Sequence, residues 1–305
     1  MGEKAHYRKE LSKLAKESTG YRDLLLGTSK LVLVLCTNLH LSPGIILTSY
    51  LYTYQFWSKY DILETDRKFV AAASVLLAWK SREDLEPTKS SRKLPELSRF
   101  LYRIIKASSV CQTNRNVTQR DLSSSSWIYK DSGKEYNYFM EQIKTYEFAL
   151  LRAINFEITH LELPFGHIEK YTRILLYSSK LRDSRQDEIK EEGEEEGEEE
   201  GEEVEDQEKY EYESLKMFRI LSMSICLDLY RLPDVCMKYK ASEVSLCSTW
   251  HAGIILSLPF AYENTRYNDY SWIKKVSPDF NIKRVINCMN DCSRIILWLA
   301  NSDSA

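Results

Sequence analysis

Apolar residues recur at helical spacing along most of the chain. The first such pattern runs from Tyr21 to about Leu39 and carries Leu24, Leu31, Val34 and Leu35. Ser42-Pro43 predicts the next helix start, since serine caps free amides and proline fits the first turn. That helix reaches about Trp57, with Ile46, Tyr50 and Tyr54 in register. Thr65 is placed to cap a third, from Asp66 to about Lys80. Phe69 to Trp79 make this helix apolar nearly all round, so it is expected at the centre of a bundle with its alanines admitting close neighbours. A fourth helix is predicted over Pro95 to about Ala107. Residues 108–133 are polar, with a serine run at 123–126, and are expected as a long mobile loop. A fifth helix fits Lys134 to Phe156.

A second set follows. Leu163 to Tyr177, Tyr210 to Tyr230 and Ala241 to Leu258 are helical patterns, and the last is apolar on most sides, like the third helix. Trp272 to Val276 is short, and Ser277-Pro278 is expected to open a final helix reaching about Ala300. The halves read as a diverged repeat. Residues 183–208 interrupt the second half with a Glu/Gly tract, expected as a disordered insert and solvated spacer.

That tract changes the charge picture. The net charge is −3, but residues 187–208 hold 15 acids and one base. The rest of the chain therefore has 41 bases against 30 acids, about +11. A basic body suits an acidic partner or the chain's own acidic segment. Ten glycines and seven prolines in 305 residues favour long helices.

The seven cysteines (Cys36, Cys111, Cys226, Cys236, Cys247, Cys288 and Cys292) contain no Cys-x-x-Cys pair. They read as reduced core thiols, with no metal site or cofactor expected. His6, His40, His160, His167 and His251 show no ligand spacing, and His251 reads as a hydrogen-bonded core residue. No phosphate loop, nucleophile elbow or kinase signature is present, so the chain is expected not to be an enzyme. No apolar run reaches 18 residues, so no membrane partner is expected.

Two charges sit awkwardly. Lys80 extends the apolar stripe of the third helix, and Glu147 lies between Ile143 and Leu151 on the fifth. A charge at the edge of a buried face needs a partner. The two can pair with each other or with ordinary neighbours, or can reach the backbone of another protein.

The segment from Asp66 to Lys80 resembles the cyclin box, with Lys80 matching that family's lysine. Arg92-Lys93-Leu94 is similar to the motif that follows in transcriptional cyclins. Glu147 to Ile158 resembles the family's fifth helix and its closing Phe-acidic-apolar triplet. Leu39 to Ser42 and Tyr50 to Trp57 are similar to the first two helices. Cys236 to Leu258 and Tyr270-Ser271-Trp272 more distantly resemble the second box of T, K and L cyclins. Lys80-Ser81-Arg82-Glu83 departs from the family's Lys-Val-Glu-Glu, and Leu163 to His167 replaces its His-Pro-His.

The resemblance implies an all-α fold of two tandem five-helix boxes. These would be residues 21–158 and 159–300, after an N-terminal extension (1–20) and before a short tail (301–305). It implies a nuclear, non-catalytic subunit that binds and activates a cyclin-dependent kinase, one acting on the RNA polymerase II tail. Lys80 and Glu147 become the expected kinase-binding residues, with Leu76, Phe148 and Leu151 as apolar contacts or supports of the fold. Rival readings are a cell-cycle cyclin, a non-activating scaffold of the same fold, and a B-type initiation adaptor gripping DNA. Direct nucleic-acid binding is not expected, because the zinc-ribbon pattern is missing and Lys80 and Glu147 match.

Overall fold

The computed structural model describes residues 19–82, 93–113, 134–158, 161–188, 200–258, 270 and 272–302. The extension to residue 18, residues 114–133 of the predicted loop and residues 189–199 of the acidic tract lie outside the described residues. So do Glu83, Arg92, His160, Ser271 and the tail from residue 303. Among the described residues there are eleven helices and no strand, the all-α class expected.

The helices are α1 (Thr19–Asn38), α2 (Pro43–Trp57), α3 (Arg67–Ser81), α4 (Lys93–Thr113), α5 (Lys134–Ala153) and α6 (Phe165–Glu188). They continue as α7 (Glu200–Leu229), α8 (Pro233–Cys236), α9 (Ala241–Ile255), α10 (Trp272–Val276) and α11 (Ile282–Ser302). The chain divides into two compact units, residues 1–161 with 231–233, and residues 162–230 with 234–305.

In the first unit, α3 packs against α1, α2, α4 and α5. Every residue from Phe69 to Trp79 is buried, as its all-round apolar surface requires. Fully burying a side chain such as Leu76 or Phe69 contributes about 1.5–3 kcal/mol. The start of α3 is fixed twice. Asp66 accepts the Lys68 amide on its carboxylate at 3.1 Å, and its own amide donates to the Tyr146 hydroxyl at 3.0 Å. Phe69 then packs on Tyr146 and Phe139 of α5, with ring centroids 6.1 and 5.5 Å apart.

In the second unit, α9 occupies the equivalent place, packed against α6, α7 and α11. Its buried hydroxyls return to carbonyls of the preceding turn: Ser245 to Ala241, Ser248 and Thr249 to Ser245. Buried polar groups are thereby satisfied without loosening the bundle. Glu243, also buried, reaches back to the Lys240 amide at 2.8 Å and takes the Arg284 guanidinium at 2.6 Å.

Five expectations need correction. Asp66 caps α3 in place of Thr65, whose hydroxyl donates to the Asp61 carbonyl at 3.1 Å. Residues 108–113 continue α4 instead of opening a loop, because they hold neither glycine nor proline and polarity alone does not end a helix. Residues 183–188 complete α6 and residues 200–208 begin α7, so both flanks of the acidic tract are helical. Glutamate is a good helix former, so an acidic composition alone does not end a helix. The last helix starts at Ile282, not at Ser277-Pro278, which forms a turn. Asn281 supplies the cap, accepting the Arg284 amide at 3.1 Å. The single turn α8 had no predicted counterpart.

Three helices end in one way without glycine. His40, Asn155 and Ser257 hold φ of 53°, 54° and 55°. In each case the next amide bonds five residues back: Leu41 to Cys36, Phe156 to Leu151, Leu258 to Gly253. This left-handed closure favours glycine, since a Cβ there costs about 1–2 kcal/mol, less for asparagine. Ser257 is exposed and carries that cost. Ser257→Gly is expected to stabilise the chain by about 0.5–1 kcal/mol and Asn155→Gly by less. Thermal denaturation of both variants checks the order, and a destabilised Ser257→Gly would contradict it.

Candidate protein-interaction site

Lys80 ends α3, where its charge faces the helix's negative end. Glu147 lies on α5, with Ile143 buried one turn before it and Leu151 half-buried one turn after. Because α3 packs on α5, these residues, 67 positions apart, meet at the bundle edge. The Lys80 ammonium donates to both Glu147 oxygens, at 2.8 and 3.0 Å. The lysine side chain is 48% exposed and the glutamate 14%. The carboxylate is the sheltered partner and the ammonium the accessible one.

An apolar rim lies beside the pair. Phe148 is 52% exposed and carries the Arg152 guanidinium 4.5 Å above its ring. Leu151 is half-buried next to it. Leu76, expected either as an apolar contact or as a support of the fold, is not on this surface. Its relative exposure is 0%, because α3 presents that face to its own bundle, so its role is in the core. The site therefore gathers Lys80, Glu147, Phe148 and Leu151, and leaves Leu76 beneath them.

The end of α3 is unusually well held. Lys93, returning at the start of α4, donates to the Trp79 carbonyl at 2.9 Å and lies 5.6 Å from the Trp79 ring. Arg82 donates to the Thr48 hydroxyl at 2.8 Å and to the Leu161 carbonyl at 3.0 Å. Tyr52 donates to the Ile158 carbonyl at 2.9 Å. Burial raises the Tyr52 phenol above its ordinary value, against the lowering by the Ser81 hydroxyl and the Arg82 charge, so it remains a donor. These bonds position Lys80 by fixing the residues on either side of it.

Sequence reasoning treated Arg82 only as a departure from a motif and gave Lys93 no role. No local signal could have found them, since Lys93 caps a carbonyl 14 residues back and Arg82 bonds Thr48 and Leu161, contacts that only the fold brings together. The site holds no group arranged for acid–base or nucleophilic chemistry. What it offers is an accessible ammonium, a sheltered carboxylate and an exposed aromatic on a rigid helix pair, a combination suited to gripping a protein surface.

No protein-family model and no curated protein matches the sequence. Among solved structures, a chain of the yeast TFIIK (Kin28/Ccl1/Tfb3) complex is similar, with a TM-score of 0.50 at 12% identity. The match spans 95% of this chain and 92% of that one. The likeness extends over nearly the whole all-helical chain and is one of fold.

Proposed function

We propose that this chain is a cyclin-type regulatory subunit that binds and activates a cyclin-dependent protein kinase in transcription. On this reading the two compact units are tandem cyclin boxes, the chain is not itself an enzyme, and it works in the nucleus. The observation that carries the proposal is the Lys80–Glu147 pair beside exposed Phe148, at the positions the cyclin-box resemblance assigns to the kinase interface. The fold likeness to a chain of a complex that contains Kin28, Ccl1 and Tfb3 supports it.

The mechanism follows from what a kinase requires. Its β3 lysine must pair with the αC glutamate before phosphoryl transfer can proceed. A partner that binds the αC-in state more tightly shifts the population toward it. The edge of α3 and α5 is rigid enough to do this, since its ends are pinned by Lys93, Arg82 and Asp66. Phe148 and Leu151 supply apolar contact, and the charged pair fixes register.

Affinity capture of the full chain from its own cells, with the bound proteins identified and assayed for kinase activity, tests the reading. Recovery of a stoichiometric cyclin-dependent kinase supports it. A second reading, a DNA-gripping initiation adaptor, is favoured by one feature of the second unit. Lys238, Lys283, Arg284 and Arg294 line a cleft of about 520 Å³, although Lys238 and Arg294 pair with Asp291 and Arg284 with Glu243. Recovery of polymerase or promoter DNA without a kinase, with salt-sensitive duplex binding, would replace the first reading by this one.

A further inference from the structure

We propose that Cys247, Cys288 and Cys292, completed by His251, form a zinc site inside the second unit. The three cysteines were expected to be unrelated core thiols. In the structure all are fully buried, and their sulfurs lie within 4.8 Å of one another where α9 meets α11. The Cys288 and Cys292 sulfurs are 3.9 Å apart. Zinc–thiolate bonds of about 2.3 Å in a tetrahedron place sulfurs roughly 3.8 Å apart. The Cys288–Cys292 pair already has that spacing and Cys247 lies within 4.8 Å of both, so three ligands are gathered, while the nitrogens of His251 lie outside this cluster.

The arrangement has a sequence logic that no Cys-x-x-Cys pattern reveals. Cys288 and Cys292 are four apart on α11, and Cys247 and His251 are four apart on α9. Residues four apart share a helix face. Packing α9 on α11 turns two such pairs toward one another.

His251 supplies the second observation. Its Nδ1 lies 2.7 Å from the Cys247 carbonyl, which can only accept, so Nδ1 carries the proton. In the neutral ring Nε2 is then a bare lone pair. A ligating histidine is commonly held this way, with its other nitrogen donating to a backbone carbonyl. Nε2 sits 2.9 Å from the hydroxyl of Ser293, the residue after Cys292. The Ser293 hydroxyl also points to the Met289 carbonyl at 2.9 Å and has one proton for two acceptors. The nitrogens of His251 lie outside the thiol cluster, so ligation requires the ring to swing away from Ser293, which leaves that proton to Met289.

Charge fixes the oxidation state and the proton count. Three bare thiolates cannot be buried together at the usual cost of folding. A divalent zinc ion with three thiolates and a neutral imidazole leaves one net negative charge. Binding therefore releases up to three thiol protons and converts binding energy into stability of the second unit. The three thiols are closed to solvent, and with half-buried His251 as the fourth ligand no open position is left for a substrate, so the role of the site is structural.

The full chain, purified under reducing conditions from zinc-supplemented culture, is expected to contain about one zinc per chain. Unfolded in chelator and refolded with cobalt(II), it should show thiolate-to-cobalt charge transfer and the intense visible bands of a tetrahedral ion. Cys292→Ala should weaken cobalt binding by more than the roughly 10–100-fold that loss of a supporting residue costs, whereas Cys36→Ala, in the first unit, should not. Wild-type chain that refolds cooperatively, carries no zinc and shows no cobalt band overturns the site. A His251→Ala spectrum identical to wild type overturns the four-ligand assignment. The wild-type measurements decide the matter even where a cysteine variant fails to fold. They are also independent of kinase capture, so either proposal can fail alone.

Discussion

Lys80→Glu is expected to weaken association with the kinase proposed as partner by about 100-fold while the chain still unfolds cooperatively. Removing one member of a charge pair desolvated by a partner costs about 2–5 kcal/mol, and about 2.7 kcal/mol corresponds to 100-fold. Within the free chain the ammonium is half exposed, although the carboxylate is sheltered, and the pair contributes about 1 kcal/mol. The two roles can therefore be separated. Glu147→Ala should lose binding with a small change in melting temperature. The swap Lys80→Glu with Glu147→Lys restores the internal ion pair, so it should recover stability and leave binding impaired. Calorimetric titration of the kinase into each variant provides the measurement. A swap that regains wild-type affinity would mean that the pair only braces α3 against α5.

Leu76→Ala should do the opposite. Leu76 is fully buried on a helix that touches four others. Truncating such a leucine costs about 2–5 kcal/mol, because the cavity collapses only partly. For a unit of this size that lowers the melting temperature by on the order of 10 °C. Kinase binding should fall only as far as the folded population falls, and should return at lower temperature. Phe148→Ala, on the exposed rim, should reverse the pattern, with little change in melting and a marked loss of affinity. If Leu76→Ala impairs binding at a temperature where the chain is fully folded, Leu76 reaches the partner after all.

How much of this could be read from the sequence varied with the range of the interaction. The helices were legible because apolar spacing is local, and α3 and α9 were recognisable as central because no polar face interrupts them. That same property hid the role of Leu76. On a helix apolar all round, sequence cannot separate a residue that faces the bundle from one that faces a partner. The start of α11 was misplaced because Ser277-Pro278 is a good local signal, and Asn281, four residues from Ser277, is a better-placed cap. Lys80 and Glu147 were each conspicuous, and packing joins them at 2.8 Å, the mutual pairing that one of the two readings expected, while a role toward a partner is what the swap variant tests. The thiol cluster was the least legible feature. Cys247 lies 41 residues before Cys288 on a different helix, and only the fold gives their spacing meaning.

The burial of α3 on every side also bears on how the chain is made. Its cover comes partly from α1 and α2, which leave the ribosome before it, and partly from α5, which ends at Ala153. At about 5–20 residues per second, the roughly 70 residues after Trp79 take about 4–15 s to synthesise. Through that interval the segment from Phe69 to Trp79 has emerged with one flank uncovered. Such a stretch is a natural client for a chaperone that holds apolar segments on the nascent chain. Slowed translation before Ala153 would be expected to lower the yield of folded protein more than the same delay placed after it.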